Sequence, residues 1–159
     1  MKVIFLDIDG VLNTPSSESR CGEYIGIDDD KTKLLADIVK RTNAEIVLVS
    51  TWKKYWRKEE KLKPLQDYSA TYLDEKLKKF GIKAADKTKD KSDEKYLSRG
   101  EGILEYIARN KVEKHVILDD FQFDYVGCDL TDYLIKTKQA EGLKKAQAEK
   151  ACKILSEQL

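Results

Sequence analysis

The chain has 159 residues, 41% of them hydrophobic, with 30 Lys or Arg against 29 Asp or Glu and a net charge of +1. At roughly 100–200 residues per domain it reads as one domain over 1–159, with enough apolar content to bury a core. The near-balance of charge excludes a uniformly basic nucleic-acid binder and an acidic disordered tail.

Val3 to Leu6 is a continuous apolar run that ends in Asp7. Continuous rather than alternating apolarity predicts a strand buried on both faces, as in a parallel sheet. The two carboxylates of Asp7 and Asp9 do not fit a signal peptide. From Gly10 to Ile27 the chain reads as loop, with room for a short hairpin. Asp28, Asp29 and Asp30 precede a helix carrying Leu34, Leu35, Ile38 and Val39, where acids suit the N-terminal cap and dipole. Ile46 to Val49 is a second buried strand, ending in Ser50 and Thr51. Leu73, Leu77 and Phe80 predict a helix stopped by Gly81, and Ile82 to Ala85 a short strand. Lys87 to Lys95 reads as a charged loop and Gly102 to Asn110 as a helix. Val116 to Leu118 is a third buried strand, ending in Asp119 and Asp120. A fourth is predicted at Tyr133 to Ile135, then an amphipathic helix over Gly142 to Leu159. No apolar run approaches the ~20 residues of a membrane span. Cys21, Cys128 and Cys152 form no CxxC, and His115 is the single histidine, so neither a disulfide framework nor a structural zinc is expected. A cytoplasmic protein without a membrane or an obligate protein partner is expected.

Strands alternating with helices predict an α/β fold with a mostly parallel sheet. Ligands of such sheets bind outside the carboxyl ends of the strands. Three strands here end in Asp7-Ile8-Asp9-Gly10, in Ser50-Thr51 and in Asp119-Asp120. Crowded carboxylates need a cation, and hard oxygen ligands suit magnesium. Magnesium beside hydroxyl donors predicts a site for a phosphoryl group.

At these residues the sequence resembles the haloacid dehalogenase-like superfamily of phosphatases. Asp7, Asp9 and Gly10 match its DxDG motif, Ser50 its second motif, and Arg99 its basic third. Asp119, Asp120 and Asp124 match the fourth. Lys95 competes with Arg99, and Thr51 with Ser50. The run of DGVLN, STW, RGEGI, VILDD and Gly142-Leu143 is similar to a small capless branch associated with RNA-repair proteins. The resemblance implies a Rossmann-like three-layer α/β/α sandwich without a large cap. It implies Asp7 as nucleophile and Asp9 as general acid and base. Gly10 would let the backbone turn beside the phosphate, while Ser50 or Thr51 and Arg99 would bind it. Asp7, the Asp9 carbonyl and Asp120 would hold magnesium, with Asp119 or Asp124 as direct or indirect partners. The substrate would be a phosphomonoester, with a nucleotide or a nucleic-acid end as candidates.

Two other classes use similar residues. A receiver-like phosphoacceptor module carries its acidic pair on the first strand and its phosphoacceptor on the third, whereas here DxDG comes first and the pair late. A catalytically silent binding protein would not need every motif residue type. Asn13 and Arg20, in the loop after DxDG, are candidate substrate contacts. Trp52 and Trp56 either stack bases among Lys53, Lys54 and Arg57 or pack on the sheet. Trp52 to Arg99 carries 15 Lys or Arg against 9 Asp or Glu, a local charge of +6, and the rest of the chain carries −5. This basic stretch either draws in a polyanion or is a solvated face.

Overall fold

A computed structural model describes residues 1–89 and 97–157. Strand β1 (Lys2–Leu6) is followed by a hairpin of β2 (Arg20–Cys21) and β3 (Tyr24–Ile25), then by helix α1 (Asp29–Thr42) and β4 (Glu45–Leu48). Helix α2 (Tyr68–Lys79), β5 (Ala84–Lys87), helix α3 (Arg99–Arg109), β6 (Lys114–Asp119), β7 (Leu134–Lys136) and helix α4 (Lys145–Ser156) complete the order. Five strands form one sheet in the order β5-β4-β1-β6-β7, every pair parallel.

Side chains alternate across these strands and build two cores. Ile4, Leu6, Ile46, Leu48, Val116 and Leu118 pack with Leu35 and Ile38 of α1, Leu73 and Leu77 of α2, and Ala151 and Leu155 of α4. Val3, Phe5, Val47, Val49 and Ile117 face the other way, onto Ile103 and Tyr106 of α3. Helices therefore cover both faces of the parallel sheet that the patterning predicts, in the Rossmann-like sandwich that the resemblance implies. No cap domain sits over the sheet among the described residues, and none of their helices is long and apolar enough to cross a membrane.

Several boundaries shift from the sequence expectation, each for a local reason. Helix α3 begins at Arg99 rather than Gly102. Ser98 and Glu101 form a reciprocal capping box that starts the helix earlier than its apolar residues suggest. Strand β5 lies two residues beyond the predicted run, with a register irregularity opposite Ile46 and Val47. The C-terminal helix starts at Lys145. Gly142, at φ +66°, turns the chain first, and the Leu143 amide donates to the Val11 carbonyl at 2.8 Å. Asp28 occupies the N-cap position of α1, but its carboxylate accepts from Ser17 Oγ at 2.6 Å and Lys31 Nζ at 3.1 Å, with no cap bond. Asp29, in the first helical turn, instead receives Lys76 and Lys79 from α2. All three cysteines are free. Lys95 lies outside the described residues.

Candidate active site

The carboxyl ends of β1, β4 and β6 meet at one edge of the sheet, because the three strands are neighbours in matched parallel register. β1 delivers Asp7, buried, and its amide donates to the Leu118 carbonyl at 2.9 Å. β6 delivers Asp119, fully buried, and Asp120, partly open. One carboxylate oxygen from each of Asp7, Asp119 and Asp120 lies within 4.8 Å of the others.

Arg99, in the first turn of α3, reaches into this group. Its Nη1 is 2.8 Å from Asp119 Oδ2 and 3.3 Å from Asp7 Oδ1. The Tyr125 hydroxyl donates to the same Asp119 oxygen at 2.7 Å, and the Phe121 amide donates to the other at 3.1 Å. Asp119 thus has both oxygens engaged, and it anchors Arg99 beside Asp7. Burial and the neighbouring Asp119 push the Asp7 carboxyl well above the ordinary range, with Arg99 pulling the other way. Burial and Asp119 likewise raise Asp120. Three carboxylates facing one guanidinium leave an uncompensated charge of −2 when all are ionised. A divalent cation fits this set, since every donor is a hard carboxylate oxygen and the excess charge matches its own.

Gly10 explains how Asp120 comes so close. Its φ is +79°, and a Cβ there would sit 2.5 Å from Asp120 Cγ. Only glycine accommodates both the left-handed backbone and that approach. The Thr137 hydroxyl, just after β7, fixes the turn by donating to the Gly10 carbonyl at 2.7 Å.

Asp9 faces outward, separate from the three-carboxylate group, and is exposed. Asn13 Nδ2 donates to its Oδ1 at 2.9 Å and the Trp52 indole N–H donates to its Oδ2 at 3.1 Å. Asn13 is itself buried, donating also to the Gly26 carbonyl and accepting from the Gly10 amide. Ser50 is buried at the end of β4, where its Oγ accepts from the Trp52 amide at 3.2 Å and begins the short 3-10 turn Thr51–Lys53. Accepting that bond leaves the Ser50 hydroxyl hydrogen for another acceptor. Thr51 is exposed.

Asp124 stands apart from the other acids. Its carboxylate accepts from Ser98 Oγ and, at 2.9 Å, from the Gly100 amide. It closes the N-terminus of α3 and thereby supports Arg99 from behind. Those bonds hold its carboxyl below the usual range against the effect of burial. Arg20 Nη1 donates to the carbonyls of Ser17 and Ser19. Trp56 is a core residue whose indole donates to Asp74 at 2.9 Å. His115 stacks on Tyr133, with ring centroids 4.2 Å apart.

Trp52, Tyr125, Thr137 and the Ser98 cap are the residues that motif spacing alone does not assign to the site. For Ser98 the signal was present, as Ser-x-x-Glu before an apolar run. For Thr137 no local pattern exists, because its partner Gly10 follows another strand, and Tyr125 meets Asp119 through the turn after β6, outside any motif spacing.

A family model described as "HAD domain in Swiss Army Knife RNA repair proteins" matches residues 3–148. No curated protein and no solved structure matches the chain.

Proposed function

We propose that the chain, which belongs to this family of HAD domains, is a magnesium-dependent phosphatase that cleaves phosphomonoesters through an aspartyl-phosphate. The observation that carries the reading is the position of Arg99, between Asp7 at 3.3 Å and Asp119 at 2.8 Å. A nucleophilic carboxylate and the cation that would balance an incoming phosphate are thereby held together. In the first step an Asp7 oxygen bonds to phosphorus as the ester P–O bond breaks. Asp9 gives its proton to the leaving oxygen, then takes one from the water that attacks the acyl phosphate. The free hydroxyl hydrogen of Ser50 and the Arg99 guanidinium stabilise charge on the phosphoryl oxygens, with Thr51 an exposed neighbour on the open side. Asp7, the Asp9 carbonyl and Asp120 would hold magnesium, which supplies charge neutralisation and a Lewis acid for the phosphoryl oxygens.

The absence of a cap among the described residues leaves the site open to a bulky phosphate. Together with the RNA-repair family description, this supports a nucleotide or nucleic-acid end as substrate. The test is phosphate release with magnesium from 3′- and 5′-phosphorylated oligonucleotides, nucleotides and aryl phosphates. Asp7→Asn is expected to abolish turnover. Activity surviving that substitution, or a phosphorylated protein that never turns over, would overturn the reading.

A further inference from the structure

Phe121 and Phe123 are both exposed, at 55% and 45%, although they directly follow the buried Asp119 and its neighbour Asp120. Their rings meet edge to face with centroids 5.0 Å apart, and Phe123 continues onto Tyr125 at 6.2 Å. The Arg99 guanidinium carbon lies 4.1 Å from the centroid of the Phe123 ring. The same guanidinium touches Asp7 and Asp119. A single planar cation therefore joins the phosphate site to an exposed aromatic ledge. Phe123 also holds φ at +40°, a conformation uncommon for a bulky residue. Such backbone is kept only where the surroundings determine it, and it clusters at functional sites.

We propose that the Phe121–Phe123 ledge is a stacking platform for the terminal base of a nucleotide whose phosphate occupies the Asp7 site. The inference rests on the phosphatase reading and adds to it the group that selects the substrate. The occupant must present a flat apolar face within a side chain's reach of a phosphate, which a nucleotide does and a simple sugar phosphate does not. Aromatic faces accept any base, so the ledge would prefer nucleotides without reading sequence. Asp119 holds the ledge in place through the Phe121 amide and the Tyr125 hydroxyl, tying base recognition to the carboxylate that positions Arg99.

The test compares phosphorylated dinucleotides, 3′ and 5′, with the same molecules made abasic at the phosphorylated residue. KM is expected to be lower for the base-bearing substrate by about tenfold, the scale of one base stacking on an aromatic side chain. Phe121→Ala should raise that KM by about tenfold, leave kcat within about twofold and leave the abasic substrate unchanged, with Phe121→Trp restoring the preference. Thermal unfolding checks the fold of each variant. Equal KM values for the two substrates, or variants that shift both alike, overturn the ledge while leaving the phosphatase reading intact. If the parent protein cleaves none of these substrates, the phosphatase reading fails. Calorimetric binding of the same dinucleotides then decides the ledge: selection for the base that Phe121→Ala abolishes supports it, and equal binding overturns it. A dimer in sedimentation that Phe121→Ala dissociates would also overturn it, by showing a second copy as the occupant.

Discussion

The Asp9 carboxylate is gripped from two sides, by Asn13 at 2.9 Å and by Trp52 at 3.1 Å. An acid that must meet a leaving oxygen gains from a fixed direction, and general acid catalysis contributes about 10²–10⁴-fold. Trp52→Phe keeps the ring and removes the N–H. It is expected to slow hydrolysis of alkyl phosphates by roughly tenfold, while aryl phosphates, whose leaving groups need less protonation, change much less. Steady-state kinetics with both substrate types checks this, and an equal loss on both would mean that Trp52 serves packing alone. Asp9 with its DxDG context is legible from sequence, but this orientation is not, because Trp52 sits on another strand's exit. A second residue is revealed by an unmet need. Among the described residues His115 Nε2 is buried without a hydrogen-bond partner, and burial lowers its pKa from 6.5 to about 4. The unfolded chain takes up a proton below about pH 6.5 and the folded one resists until about pH 4, so stability falls as pH drops through that window. Discounted for partial exposure, the loss is about 2 kcal/mol at its full extent. His115→Phe retains a ring against Tyr133 and Phe5. Denaturant unfolding from pH 7 to pH 4 is expected to show the variant gaining on the parent by that amount, and parallel curves would refute it.

Among the elements, α3 matters most to the proposed chemistry, since its first residue is Arg99. Its start is set by Ser98, Glu101 and Asp124 rather than by its apolar face. The sequence shows Asp124 only as a match to DxxxD spacing, which groups it with the metal ligands. In the fold its oxygens are taken by the helix terminus, while one oxygen each of Asp7, Asp119 and Asp120 lies within 4.8 Å of the others. Asp124→Ala is therefore expected to cost about 1–2 kcal/mol through the lost cap and the Gly100 amide left unpaired. It should nevertheless retain the rise in melting temperature expected of magnesium, if the proposed ion binds only the folded state. Asp120→Asn is expected to lose that rise. Thermal unfolding with and without magnesium separates the two, and loss of the rise in Asp124→Ala would return Asp124 to the metal site. The strands β1, β4 and β6 were legible because burial on both faces leaves an unbroken apolar run in the sequence. β5 was misplaced by two residues because its irregular pairing against β4 leaves no such run. The start of α3 differs from the expected Gly102 because caps are polar signals that lie ahead of the apolar pattern.

At the scale of the molecule, the near-zero net charge conceals a segment, Trp52 to Arg99, of local charge +6. The fold shows where several of those cations go. Lys58 pairs with Asp86 and Lys63 with Asp74, acids already counted within that segment, while Lys76 and Lys79 share Asp29 and Lys89 meets Glu105 from outside it. Lys53 donates to Thr88 and to the Lys89 carbonyl, tying the exit of β4 to that of β5. Charge counted along a sequence cannot reveal this, because the partners of Lys76 and Lys79 lie 47 and 50 residues away. Ion-paired lysines release fewer counterions when a polyanion docks, and they contribute less to long-range steering. On the phosphatase reading, recognition then falls to Arg99 and the site itself, at the terminal phosphate. A protein making six to ten phosphate contacts loses about 10³–10⁵-fold in affinity between 50 and 200 mM salt. Here KM for a phosphorylated oligonucleotide is expected to rise by less than about tenfold over that range, the slope of one or two contacts. It should also change little as the oligonucleotide is lengthened from two residues to about ten, since the added phosphates would meet lysines already engaged. Initial-rate measurements across salt and length check both, and a steep salt slope that grows with length would show that the basic segment forms a track for the nucleic-acid backbone.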